Sequence, residues 1–254
     1  MHKYLIDRVN VDWIEKIFEF VNTDWMAIDD VVDEALDDGV KFGKRRDVFN
    51  RLIDIGILEK NKEKGKQNFI TLTEKGMIIK SIYLIDRIRG IEYIHMLHVL
   101  ESFKPEARRY FTTYRFAIEI FMQNRELKKD DYLILVRKLE EYFDCSGEGI
   151  TGMDTTTIGK ATVFVKEIPH GDDRDIDLKQ YNYGLQEYVA IKAGRNSGQV
   201  LLSEETISDL MILFFMDHDE VLRMIDILIR MSGNIQKKFA MAGTYLSILK
   251  TITL

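Results

Sequence analysis

The segment KRRDVFNRLIDIGILEKNKEKGKQNFITLTEKG, residues 44–76, places the strongest constraint on how this chain folds. Its first part repeats apolar residues at helical spacing, and Gly56 is expected to end that helix. Two short strand-like segments, residues 57–60 and 69–72, flank a charged connection that contains glycine, which is typical of a β-hairpin. Thr73 is placed to cap a further helix. The segment therefore predicts helix, strand, basic loop, strand and helix.

Two more amphipathic helices are predicted upstream of this segment. Residues 13–21 place apolar side chains on one face, and residues 28–36 repeat that spacing before Gly39, a suitable helix end. The third helix of the region covers residues 44–55. Three helices are therefore expected to precede the hairpin.

This order of elements resembles the winged-helix superfamily over about residues 11–85, a third of the chain. The resemblance is carried by the three helices, then GILE, the basic loop and FITLTEKG leading into a helix. It implies that the third helix enters the major groove of duplex DNA and that the loop between the strands, the wing, touches the backbone or the minor groove. On this sequence the groove-facing residues would be Lys44, Arg45, Arg46, Asn50 and Arg51, and the wing contacts would be Lys62, Lys64 and Lys66.

The local charge agrees with a DNA partner better than the total does. The chain carries a net charge of -6, yet residues 41–66 hold nine Lys or Arg against four Asp or Glu. Phosphate binding depends on the field within about 8 Å at physiological salt, so the local balance counts more than the sum. Residues 29–38 argue the other way, because they contain six acids and no base.

The rest of the chain predicts a mainly α protein with small β elements, an α+β fold. Residues 76–143 are expected to be helical throughout, with helices over 77–88, 91–103, 106–122 and 131–143. Beyond Cys145, strands are predicted at 161–168, 187–193 and 199–202, the last two forming a hairpin, and helices at 207–215, 219–231 and 235–252. The expected domains are a winged helix at 1–85, a helical linker or dimerisation region at 86–145 and a C-terminal α+β domain of unknown role at 146–254.

The central helices offer a seam for a dimer, as duplex readers often bind two half-sites. The apolar positions that could form it are Tyr83, Ile91, Ile94, Leu97 and Leu100. Burial of these residues within one subunit would give the same pattern. A homodimer, and a protein partner for the C-terminal domain, are expected on this basis.

Sequence patterns for chemistry are weak, and we expect no catalytic residue, no metal and no cofactor. The glycines at 147, 149 and 152 match a dinucleotide fingerprint in letters, but they follow a predicted helix where a strand is needed. His95 and His98 are more simply core residues than metal ligands. The acids near His170, at 172, 173, 175 and 177, fit a solvated loop.

We therefore expect a non-enzymatic DNA-binding protein, a transcriptional regulator or a DNA-targeting subunit. One alternative is a nucleic-acid-processing enzyme or a subunit of a restriction or defence system, with metal bound near Asp154, Glu167, Glu187 and Lys192. Residues 187 and 192, read as strand, would point to opposite faces, which weakens that alternative. The other is an adaptor that binds protein through the winged helix.

The start of the chain, MHKYLIDRVNVD, carries charges where a signal peptide needs an apolar stretch. The longest apolar run, residues 210–216, is too short to span a bilayer. A single cysteine excludes an intramolecular disulfide framework. A cytoplasmic protein that does not enter membranes is expected.

Overall fold

A computed structural model of the chain describes residues 2–3, 11–40, 47–61, 63, 68–144, 150–151, 157–169, 177–193 and 198–249. Over these residues the protein is mainly α with small β elements, as predicted. It forms two compact units, Asp7–Ile94 and Met1–Ile6 together with His95–Leu254. We call these the N-terminal unit and the C-terminal unit. The three-part division at residues 85 and 145 stays a prediction.

The described residues form the following elements in chain order. The first are β1 (His2–Lys3), α1 (Val11–Phe20), β2 (Met26–Ala27), α2 (Ile28–Asp37), α3 (Asp47–Asp54), β3 (Leu58–Lys60), β4 (Phe69–Leu72), α4 (Glu74–Ile85) and α5 (Arg87–Phe103). The later ones are α6 (Arg109–Gln123), α7 (Lys129–Tyr142), β5 (Ile150–Thr151), α8 (Thr157–Thr162), a 3-10 helix (Val165–Glu167), α9 (Leu178–Ala193), β6 (Gln199–Leu201), α10 (Glu204–Phe214), α11 (His218–Ser232), β7 (Ile235–Ala240) and β8 (Gly243–Ile248).

The N-terminal unit packs helices α1–α3 with a three-stranded antiparallel sheet in the order β2-β4-β3. Helix α1 buries Ile14, Ile17 and Phe18, which recur at the spacing of one helical face. Strands β3 and β4 pair as the predicted hairpin, with Leu58 opposite Leu72. Strand β2 was not predicted, since two residues are too few to show a period.

The predicted helix ends in this unit are confirmed. Gly39 and Gly56 follow α2 and α3 with φ of 82° and 74°, a left-handed conformation that glycine adopts without steric cost. The Thr73 side chain accepts a hydrogen bond from the Gly76 N–H at the start of α4. The glycines and the threonine therefore correctly predicted the ends of α2 and α3 and the start of α4.

The C-terminal unit contains helices from the end of α5 to α11 and a three-stranded antiparallel sheet in the order β6-β8-β7. A second, parallel pair joins β1 to β5. Ser203 caps α10, and Asp217 forms a capping box with Glu220 at the start of α11. No described helix has the length and apolar character that crossing a membrane requires.

Three predicted elements of this unit are wrong, and in each case the period was misjudged. Residues 161–168 form the end of α8 and the 3-10 helix, not a strand, because Ile158, Ala161, Thr162 and Val165 are buried at helical spacing. Residues 187–193 end helix α9, which buries Tyr181, Leu185, Tyr188 and Val189 on one face. Strand β6 therefore does not pair with residues 187–193, as predicted, but with β8.

The third error concerns residues 235–252, which were predicted as a helix. Residues 235–248 form the hairpin β7–β8, with Ile235 opposite Ile248 and Ala240 opposite Gly243. Gly243 has φ of 134°, which side-chain-bearing residues rarely adopt, so the turn depends on this glycine. A glycine in the middle of the predicted helix was the signal against it.

The central helices differ from the prediction in their bounds. Helices α4 and α5 are separated at Asp86, whereas the predicted helices were divided between residues 88 and 91, and α6 begins at Arg109 rather than at residue 106. Helix α7 starts at Lys129, two residues before the predicted start at 131, and the carboxylate of Asp131 in its first turn accepts from the Lys128 N–H at 2.5 Å. The five positions of the predicted dimer seam are all buried in the chain: Tyr83, Ile91, Ile94, Leu97 and Leu100. They are therefore not a free surface for a second copy.

Helix α9 passes so close to its neighbours that Gly184 has no room for a side chain. A Cβ there would lie 2.5 Å from the Met96 sulfur and 2.8 Å from the Phe214 ring. We expect Gly184→Ala to lower the free energy of unfolding by about 1–3 kcal/mol, the usual cost of overpacking. Urea unfolding followed by far-UV circular dichroism measures the change.

Gly159→Ala is the matched control, because Gly159 also lies in a helix but a Cβ there meets nothing within 4 Å. Alanine favours helix over glycine, so this variant should be unchanged or slightly more stable. Equal losses in the two variants would contradict the close approach at α9.

Candidate nucleic-acid interface

Helix α3 buries one side in the N-terminal unit and leaves another side towards solvent. The buried side consists of Val48, Phe49 and Leu52. Asn50 is exposed, and Arg51 is half-buried in the last turn of the helix, where a cation is favoured by the helix dipole. The amide of Asn50 offers both a donor and an acceptor, the pair that an adenine edge requires.

Two of the eight predicted DNA contacts can therefore be placed. Asn50 and Arg51 lie next to each other on α3. The other six, Lys44, Arg45, Arg46, Lys62, Lys64 and Lys66, fall outside the described residues. Their roles stay predictions from the sequence.

The hairpin β3–β4 holds the base of the predicted wing. The Asn61 N–H donates to the Phe69 carbonyl at 2.9 Å, which closes the hairpin, and the Asn61 side chain accepts from the Glu63 N–H at 2.8 Å. Lys60, at the end of β3, is exposed. It was not among the predicted contacts, although its place directly before the basic connection was a signal for including it.

The end of α3 is held against the start of α4 through Thr73. The Thr73 hydroxyl donates to the Gly56 carbonyl at 2.6 Å, and the Thr73 N–H donates to the Ile57 carbonyl at 3.0 Å. A Cβ on Gly76 would collide with the Ile57 carbonyl oxygen. This junction therefore positions the C-terminal end of α3 within the unit.

Helix α2 presents an acidic surface in the same unit. Its carboxylates at 29, 30, 33, 34 and 37 are exposed. Lys16 on α1 bridges Asp38 at 2.6 Å and Glu19 at 2.7 Å, and hydrogen bonds to these carboxylates raise the pKa of Lys16. The exposed acids would repel a phosphate backbone, so a duplex would have to approach the unit from a side other than α2.

The residues of the alternative metal-dependent site are not arranged as predicted. Glu187 and Lys192 lie on helix α9, not on a strand, where five residues separate side chains by about 140°. Lys192 is paired with Asp209 at 2.7 Å. Asp154 lies outside the described residues, and within them no three His, Cys, Asp or Glu side chains come together as metal ligands would.

His95 and His98 are core residues of the C-terminal unit. The two ring nitrogens of His95 contact the Tyr114 hydroxyl at 2.9 Å and the Ile212 carbonyl at 2.8 Å. A carbonyl only accepts, so Nε2 carries a proton; in the neutral imidazole Nδ1 then accepts from the Tyr114 hydroxyl. Burial raises the pKa of Tyr114, which keeps its proton available. His98 packs among aromatic rings, including those of Phe111 and Phe164.

Comparisons with known proteins show a likeness in fold alone. No protein-family model matches the chain, and no curated protein matches it in sequence. A solved structure described as "SspB crystal structure" is similar with a TM-score of 0.56 at 13% identity, over 95% of this chain and 81% of that chain. At this identity the similarity concerns the arrangement of the backbone.

The Thr73 junction gives a test that is independent of any ligand. Thr73→Val keeps the shape of the side chain but removes the hydroxyl, so we expect the N-terminal unit to lose about 1–2 kcal/mol of unfolding free energy, the usual value of an N-cap. Both tryptophans, Trp13 and Trp25, belong to this unit. Their fluorescence during urea unfolding therefore reports on it.

Thr73→Ser retains the oxygen and should stay close to the unchanged protein. Should the valine and serine variants unfold at the same urea concentration, the hydroxyl would have no role in holding α3 to α4.

Proposed function

We propose that the protein binds duplex DNA through its N-terminal unit, as a winged helix with α3 in the major groove. The observation that supports this most is the order of elements: α1, β2, α2, α3 and the hairpin β3–β4, with the strands in the order β2-β4-β3. In this arrangement α3 directly precedes the hairpin, and the basic residues of 61–68 stand in the sequence between its two strands. A recognition helix followed by a wing has the same order.

Charge and side-chain chemistry add to the proposal. Asn50 is exposed on α3, and Lys60 is exposed at the end of β3. In the sequence, further Lys and Arg residues stand directly before α3 and between the two strands of the hairpin. Lys and Arg side chains that contact DNA phosphates release counterions and so supply affinity, whereas the Asn50 amide on α3 can form hydrogen bonds with the edge of a base. We propose a non-enzymatic role, as a transcriptional regulator or DNA-targeting subunit.

The proposal includes a homodimer and a protein partner for the C-terminal unit. The helical positions first predicted as a seam are buried, so a dimer would use another surface. Light scattering after gel filtration, with and without DNA, gives the number of copies directly. A monomer in both conditions would remove the dimer from the proposal and leave DNA binding to be tested separately.

Charge reversal at the start of the third helix tests the interface. We expect Arg45→Glu with Arg46→Glu to weaken binding of a mixed-sequence duplex at least about tenfold. The slope of log K against log salt concentration should become shallower by the equivalent of about two phosphate contacts. Fluorescence anisotropy at several salt concentrations measures both quantities.

Arg125→Glu with Lys129→Glu changes the charge by the same amount on exposed positions of the C-terminal unit. This control should bind as the unchanged protein does. If both double variants weaken binding equally, the effect is one of total charge; if the unchanged protein does not bind at low salt, the winged helix is better explained as a protein-binding adaptor.

Asn50→Ala tests base recognition as distinct from backbone contact. The substitution removes no charge, so the salt dependence should stay the same while discrimination between preferred and other duplexes falls by about 1–3 kcal/mol. Selection from a random duplex pool, followed by anisotropy on the enriched sequence, measures this difference. An unchanged sequence preference would place Asn50 away from the bases.

A further inference from the structure

Arg115 of helix α6 is a buried cation surrounded by aromatic rings. The residue is 8% exposed. Its guanidinium carbon lies 4.8 Å from the ring centres of both Phe103 and Phe116, and 5.5 Å from that of Tyr142. Charged residues are rarely buried to this degree unless an opposite charge accompanies them, because removing a charge from water is costly.

The lysines around Arg115 each have a carboxylate, and Arg115 does not. Lys138 lies over the Phe116 ring and is 2.7 Å from Glu119. Lys192 lies over the Phe103 ring and is 2.7 Å from Asp209. Within the described part of the chain, no carboxylate or other hydrogen-bond acceptor partners the guanidinium of Arg115. Lys192 also lies 4.0 Å from Glu205. Among the described residues, Arg115 therefore differs from both lysines in having no carboxylate beside its charge.

The rings hold the guanidinium without using its N–H groups. An aromatic face attracts the cation through its quadrupole, at centre distances such as those found here. It does not replace the oxygen acceptors that five N–H donors require. The rings therefore hold the guanidinium by its charge while its donors stay available for the paired N–H···O bonds that a guanidinium makes with an oxyanion.

We propose that Arg115 anchors a binding site for a phosphate group in the C-terminal unit. A phosphate supplies the missing negative charge and several acceptor oxygens at once, and burial weakens the screening of this attraction by salt. The site is made of residues from α5, α6 and α7, with Lys192 of α9 at its side. It shares no residue with the proposed DNA interface, so it stands or falls independently of that function.

Calorimetric titration of the full chain with inorganic phosphate tests the proposal. The unchanged protein should bind phosphate, and Arg115→Gln should bind it at least tenfold more weakly. Arg125→Gln removes an exposed cation of the same unit and should bind as the unchanged protein does. Absence of binding by the unchanged protein, or equal affinity in Arg115→Gln, would overturn the site.

A second variant covers the case in which Arg115→Gln does not fold. Arg115→Lys keeps the charge and the length of the side chain but cannot make paired N–H bonds, so it should fold and bind phosphate more weakly than arginine does. An affinity equal to that of the unchanged protein would overturn the proposed paired contact. Acetate is the ligand control: if it binds as tightly as phosphate, the assignment to phosphate is wrong.

A competition experiment distinguishes a nucleic-acid phosphate from a free phosphate or a small phosphate ester as the ligand. A short single-stranded oligonucleotide that displaces inorganic phosphate from the unchanged protein, but has no measurable affinity for Arg115→Gln, identifies a nucleic-acid backbone. Failure of the oligonucleotide to compete, with phosphate still bound through Arg115, identifies free phosphate or a small phosphate ester.

Discussion

The contact between the carbonyl of Ile57 and the start of helix α4 is the constraint on which the N-terminal unit depends. Thr73 donates to that carbonyl and to the carbonyl of Gly56, and Gly76 leaves the space that the Ile57 oxygen occupies. The residues that end α3, the hairpin and the beginning of α4 therefore meet at one point. Because Gly56 and Ile57 closely follow α3, the junction holds the C-terminal end of the helix that carries Asn50.

A comparable close approach organises the C-terminal unit. Gly184 brings α9 against Met96 and Phe214, and the buried amides of Asn182 and Asn234 exchange hydrogen bonds at 3.2 and 3.3 Å. Such a reciprocal pair satisfies polar groups that would otherwise be costly in a core. It also ties the middle of α9 to the residue before β7, which places the hairpin β7–β8 beside that helix.

Local signals in the sequence predicted most of the N-terminal unit. The buried face of α1, the cap at Thr73 and the glycines after α2 and α3 each act within a few residues, so a reader of the chain can find them. The same kind of signal failed in residues 235–248, where Ile, Phe, Tyr and Leu suit either a helix or a strand. Pairing with β6 decides between them, and that partner lies more than thirty residues away in the chain.

The two proposed sites also differ in whether the sequence alone points to them. The basic stretch of residues 41–66 is visible without any coordinates, because charge and chain order suffice to suggest a DNA partner. Arg115 gave no such signal, since an arginine among Tyr114 and Phe116 is ordinary in an amphipathic helix. Only the fold brings Phe103 and Tyr142 to its guanidinium while leaving the nearby carboxylates to lysines.

By itself the sequence determined the helices with local caps, the hairpin of residues 58–72 and the distribution of charge, since each depends on neighbours along the chain. The tertiary structure decided the strand–helix choices beyond residue 157, the burial of the central helical face and the surroundings of Arg115. These depend on which distant segment covers an apolar or charged side chain, and the free energy of that contact is absent from any local pattern.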